Sequence, residues 1–114
     1  MNNLQIRFID FADSVMTITE RMKGKPSLIG IVNQLNRSSS SIGANYSEAQ
    51  SASSKKDFHN KVRIALKESR EVEYWLHLLK KRVSKDPDIQ KALIETEEII
   101  KILTTIVKKT GLNT

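Results

Sequence analysis

The chain contains no cysteine, and only 5% of its residues are aromatic. The first absence removes disulfide scaffolds, thiolate nucleophiles and every cysteine-based zinc or iron–sulfur site. The second argues against a β-sandwich or barrel, as do the 2 prolines and 4 glycines in 114 residues; those folds need frequent turn residues and many aromatic or β-branched positions. No apolar run approaches the roughly 20 residues of a membrane-spanning helix. The opening MNNLQIRFID places Arg7 and Asp10 where a secretory signal needs an apolar stretch, so the expected location is the cytoplasm. Gly24, Gly30, Gly43 and Gly111 stand apart, so no glycine-rich phosphate loop is present.

What is present is a chain that is 39% hydrophobic, enough to bury one core and too short for two. Apolar residues recur at alternating steps of three and four, which keeps them on one face of a helix. A first stripe runs Leu4, Phe8, Phe11, Val15, Ile18 and Met22, and Gly24 and Pro26 break it. A second runs Leu28, Val32, Leu35, Ser39, Ile42, Tyr46 and Ala49. The third is Phe58, Val62, Ala65, Ser69, Val72, Leu76, Leu79 and Val83, with Ser54 placed to cap it. Asp86 and Pro87 open a fourth, Ile89, Leu93, Thr96, Ile100, Leu103 and Val107. The spacing predicts helices over 3–23, 27–50, 55–83 and 87–109. Four such helices with short links define an all-α fold, an up-down-up-down antiparallel four-helix bundle in one domain over 1–114.

Enzymatic chemistry finds little support. A di-iron bundle needs Glu-x-x-His on two helices, but Glu73 and His77 are four apart and His59 has no glutamate three residues before it. No strand–turn–helix elbow presents a serine nucleophile. No catalytic residue, cofactor or metal site is expected.

Two other rows carry information. Helix three has a second row at Lys61, Ile64, Glu68, Glu71, Trp75 and Leu78, and helix four a partner row at Ile99, Ile102 and Ile106. Part of this width is ordinary core, and the remainder suits a subunit interface. In helix two, Arg37, Asn45 and Glu48 flank a run of small residues. They read as a polar network with Lys61, Glu68 and Glu71 across helices, which sets register more than stability.

The charge is more suggestive. Lysine and arginine number 19 against 13 acids, a net of +6. On helix three, Lys56, Asn60, Arg63, Lys67, Arg70, Tyr74, His77 and Lys81 keep four-three spacing on the side away from the core. Glu71 and Glu73 are positioned to neutralise Lys67 and Arg70 in part. A row of cations, amides and an aromatic is suited to a phosphate backbone; it is also what a solvated helix face looks like.

The blocks Leu35-Asn-Arg-Ser, Ser41-Ile-Gly-Ala-Asn-Tyr-Ser-Glu-Ala49, Asp57-Phe58, Ile64-Ala-Leu-Lys-Glu-Ser69, Glu71 and Tyr74-Trp-Leu76 resemble a bacterial four-helix bundle family. It is named for proteins encoded in intervening sequences of 23S ribosomal RNA genes. The likeness spans roughly residues 32 to 80, with helices one and four agreeing in length and pattern. It implies a small bundle that assembles into a ring-like homopentamer, with a basic surface proposed to meet nucleic acid. One relative serves as accessory factor to a reverse transcriptase. Arg37, Asn45, Glu48, Lys61, Glu68 and Glu71 match the family's polar positions, as structural or interface residues, with Trp75 beside them.

The expectation is therefore a non-enzymatic homo-oligomer that binds RNA or DNA through Lys56, Arg63, Lys67, Arg70 and Lys81. The alternative is an adaptor that binds a protein partner. A small-molecule site around Asn45 and Glu48 ranks third.

Overall fold

A computed structural model describes residues 1–111. Among these residues are four α-helices and no strand: α1 (Asn3–Glu20), α2 (Ile29–Gln50), α3 (Lys55–Arg82) and α4 (Pro87–Thr110). Consecutive helices run antiparallel, and the bundle measures 47 × 23 × 21 Å. Its core is one continuous cluster to which all four helices contribute.

The helix ends follow from local chemistry. Asn2 and Gln5 form a reciprocal capping box at α1, with bonds of 2.9 and 2.8 Å satisfying two otherwise orphaned amides. Ser54 accepts from the Asp57 amide at 3.0 Å and starts α3. Asp86 accepts from the Asp88 amide at 3.0 Å, and Pro87 takes the first turn of α4. α1 stops at Glu20, three residues before the spacing predicts. Its last carbonyls are closed by tight turns, and Gly24 takes φ +82°, a conformation that strains any residue with a Cβ. A 3₁₀ turn, Pro26–Leu28, then leads into α2.

The stripes of α1 and α3 point inward as read, with Phe8, Val15, Val62, Ala65, Val72, Leu76 and Leu79 fully buried. α4 differs. Ile99, assigned to a surplus row, is fully buried, and Ile100 is half-buried. Ile106 packs against the same core. Residues 89, 92, 96, 99, 103 and 106 form one heptad seam, and 93, 100 and 107 lie beside it. Both rows have four-three spacing, so only packing against the neighbouring helices selects between them. The apolar width of α4 at Ile99 and Ile106 is thus used within the chain itself. The same shift in α2 buries Ile31 and leaves Val32 half-buried.

The small residues of α2 permit a close approach. A Cβ on Gly43 would lie 3.2 Å from the Cβ of Phe8, closer than ordinary packing allows. Phe8 is held edge-on to Tyr46, with ring centroids 5.2 Å apart. Ser38 and Ser39 are fully buried nearby. Three ion pairs made by two arginines fasten α1 and its cap to α4 and its cap: Arg7 with Glu95 at 2.7 Å, and Arg21 with Asp86 and Asp88 at 3.0 and 2.9 Å.

Candidate nucleic-acid interface

α3 lies between α2 and α4, so one of its sides must face solvent. Val62, Ala65, Ser69, Val72, Leu76 and Leu79 commit one face to the core. The opposite face carries Lys56, Asn60, Arg63, Lys67, Arg70, Tyr74, His77 and Lys81, every one of them exposed. The helix has 28 residues, about 42 Å at 1.5 Å per residue, so the row extends along most of the bundle.

Of the acids beside this row, Glu68 and Glu71 are engaged elsewhere, whereas the half-buried Glu73 makes no ion pair among the described residues. Arg37 of α2 reaches across to α3 and donates to both oxygens of Glu68, at 3.0 and 3.2 Å, and to Glu71. Glu71 also accepts from the Trp75 indole N–H at 3.4 Å. Hydrogen bonding to Arg37 holds the Glu71 carboxyl below the usual carboxylate range, and the two glutamates raise Arg37 above its ordinary value. Further along the same seam, Lys61 donates to Glu48 at 2.9 Å, which raises the lysine. Glu71 therefore does not pair with Lys67 as its spacing predicts: its carboxylate is turned toward α2. Among the described residues, none of Lys56, Arg63, Lys67, Arg70 and Lys81 makes an ion pair.

The structure brings together Arg37, Glu68, Glu71 and Trp75, with Lys61 and Glu48 as a second pair on the same seam. Asn45 stays apart, donating to the Ser41 carbonyl of its own helix at 2.9 Å. A side chain that bonds back one turn cannot also bridge helices with the same donor. Trp75 is half-buried and packs against the core, whereas Ile64, from the same predicted row, is 42% exposed.

Sequence reasoning also passed over Lys108 and Lys109. Antiparallel packing brings the end of α4 to the start of α3, where His59 Nδ1 lies 2.9 Å from the Thr110 hydroxyl. The exposed Lys108 and Lys109 therefore sit at the same end of the bundle as Lys55 and Lys56. The up-down topology combined with a basic last turn was the signal that could have found them.

Other concavities are shallow and open. One of about 390 Å³ lies between α1 and α2, lined by Ile9, Ala12, Met16, Gly43 and Ala44. Among the described residues, no three His, Asp or Glu side chains converge as a metal site requires, and no helix is long and apolar enough to cross a membrane.

Fold and surface together define an all-α bundle whose α3 carries an exposed basic row without ion pairs among the described residues. The chain belongs to the 23S rRNA-intervening sequence protein family, whose sequence profile matches residues 4–105. That match takes in nearly all of α1 and most of α4, beyond the segments whose residues first suggest the family. The bundle is similar to the crystal structure of a protein of unknown function from the S23 ribosomal protein family of Bacteroides thetaiotaomicron. The two are 34% identical, with a TM-score of 0.84 over 91% of this chain and 97% of that one. No curated protein matches the chain.

Proposed function

We propose that this protein is a non-enzymatic, homo-oligomeric bundle of the cytoplasm that binds RNA or DNA through the outer face of α3. The observation that carries the reading is the exposed row Lys56–Arg63–Lys67–Arg70–Lys81, left without ion pairs while Glu48, Glu68 and Glu71 are taken up at the α2–α3 seam. An unpaired cation row attracts polyanions by releasing their counterions. Phosphate contacts dominate such binding, so it discriminates weakly between sequences and falls steeply with salt.

Binding to generic RNA and DNA across a salt series tests this. Five engaged cations give a slope of log affinity against log salt of about −4 to −5 per subunit on duplex DNA. Changing Arg63, Lys67 and Arg70 together to glutamate abolishes binding if the face is correctly assigned. Retained affinity in that variant rules the face out.

A second reading, an adaptor that docks on a protein, draws support from the apolar groove between α1 and α2. Ile9 and Met16 there are 48% and 40% exposed. Capture of a defined protein that survives nuclease and high salt favours it. Self-association, with a pentamer as the family resemblance implies, is measured by light scattering. A 13.0 kDa particle at high concentration excludes it.

A further inference from the structure

Tyr74 is 62% exposed, the most exposed aromatic side chain of the described residues, and it stands within the cation row, between Arg70 and Lys81. Arg70 and His77 lie one turn to either side of it, with Lys67 and Lys81 two turns away, about 10 Å along the axis in each direction. The ring does not hang free. It meets Trp75 edge to face, with centroids 5.0 Å apart and planes at 80°. Trp75 packs on the core and donates its indole N–H to Glu71, which Arg37 holds from α2. A chain of fixed contacts thus runs from α2 to the base of an exposed aromatic flanked by cations.

We infer that Tyr74 is a stacking platform for an unpaired base, and that the ligand of this face is single-stranded nucleic acid. The inference rests on the nucleic-acid reading of α3 and narrows it. In a duplex, base faces are covered by their neighbours, and an aromatic on a straight helix meets only phosphates and groove edges. A single strand offers open base faces alternating with phosphates, which is what an aromatic between cations can use. Support through Trp75 keeps the ring from losing orientational freedom when a base arrives. The Arg37–Glu71–Trp75 contacts then act as positioning residues for Tyr74, apart from any part they have in stability. Stacking tolerates every base, so the face reads strandedness and not sequence. A 2′-hydroxyl plays no part in stacking, so RNA and DNA single strands are treated alike.

The test uses the full chain and four labelled probes of 20 or so nucleotides: oligo-U, oligo-dT, and RNA and DNA duplexes of matched length, at one low salt concentration. Both single strands are expected to bind more tightly than the duplexes. Tyr74→Ala weakens single-strand binding about 5- to 150-fold, the range that loss of one stacked base produces, and changes duplex binding by no more than about twofold. Tyr74→Phe restores the single-strand preference. Because Tyr74 is exposed, these variants are expected to melt like the parent, which circular dichroism verifies. The fluorescence of Trp75, the single tryptophan, changes on adding oligo-dT to the parent and not to Tyr74→Ala. Equal binding of single strands by Tyr74→Ala and the parent overturns the inference, as does an equal or greater affinity for duplexes. If those results coincide with binding that is still lost in the Arg63, Lys67 and Arg70 reversal, the basic face stands and the platform alone falls. If none of the four probes binds, both fall together.

Discussion

The Thr110 hydroxyl accepts from His59. Thr110 donates its single proton to the Ile106 carbonyl at 2.7 Å, and its oxygen lies 2.9 Å from His59 Nδ1. With that proton committed, the nitrogen must be the donor. The neutral His59 ring therefore carries its proton on Nδ1 and leaves Nε2 as the acceptor.

Nitrogen chemical shifts of the labelled imidazole, recorded above neutral pH, should show the Nδ1–H tautomer for His59. Thr110→Val, which keeps the shape and removes the acceptor, should return the ring to a mixture dominated by Nε2–H and lower stability by about 1 kcal/mol. An unchanged tautomer in that variant would contradict the bond.

Glu68 is 7% exposed, and its two oxygens share the Arg37 guanidinium. Arg37→Ala leaves that carboxylate without its partner in a poorly solvated place. The expected loss is about 1–3 kcal/mol, read from the urea midpoint. Replacing Arg37 and Glu68 together by leucine should recover most of it, because the burial penalty goes when both charges go. Additive losses in the double variant would show that the pair is not coupled.

Glu71 gives the pair a pH signature. Its carboxyl sits below the ordinary value of 4.5 because Arg37 hydrogen-bonds the charged form. The folded state thus binds fewer protons than the unfolded state between the lowered value and 4.5, and stability rises with pH across that window. The contribution is complete above about pH 4.5–5 and lost as pH falls through the folded pKa. Glu71→Gln should therefore be less stable than the parent at neutral pH and equal to it in strong acid. A constant difference at every pH would refute the linkage.

The Ser39 hydroxyl is fully buried and has no hydrogen-bond partner among the described residues, unlike Ser38, which donates to the Gln34 carbonyl at 2.7 Å. Ser39→Ala removes an unpaired polar group and improves helix propensity. Stability should stay level or rise by up to about 1 kcal/mol. A loss greater than that, in thermal or urea melts, would mean that the hydroxyl has a partner after all.

How far the sequence could be read depends on the helix. α1 and α3 were legible because their apolar stripes are flanked by clearly polar neighbours, so Phe8, Val15, Val62 and Leu76 have one plausible direction. α4 was legible only in part: Ile89, Leu93, Thr96 and Leu103 are buried as read, but the isoleucines at 99, 100, 102 and 106 satisfy two adjacent seams. The choice between them depends on α1 and α3, which no local spacing encodes. Arg37, Glu68, Glu71, Glu48 and Lys61 could be grouped from charge and helix face. Asn45 could not be placed, since a back-bond to Ser41 and a bridge between helices are equally available to an amide at that position. Lys108 and Lys109 required the tertiary fold, because they approach the start of α3 only through antiparallel packing.

The position of α3 has one more consequence. Packed between α2 and α4, it shares close seams with both, whereas α1 approaches α4 less closely. Helices with fewer buried contacts open first in native-state fluctuations, and the most enclosed opens last. Backbone amides of α1 should exchange with solvent well before those around Ala65 and Val72. The cation row and Tyr74 are thus mounted on the most extensively packed helix among the described residues, and their spacing should persist through partial openings that release α1.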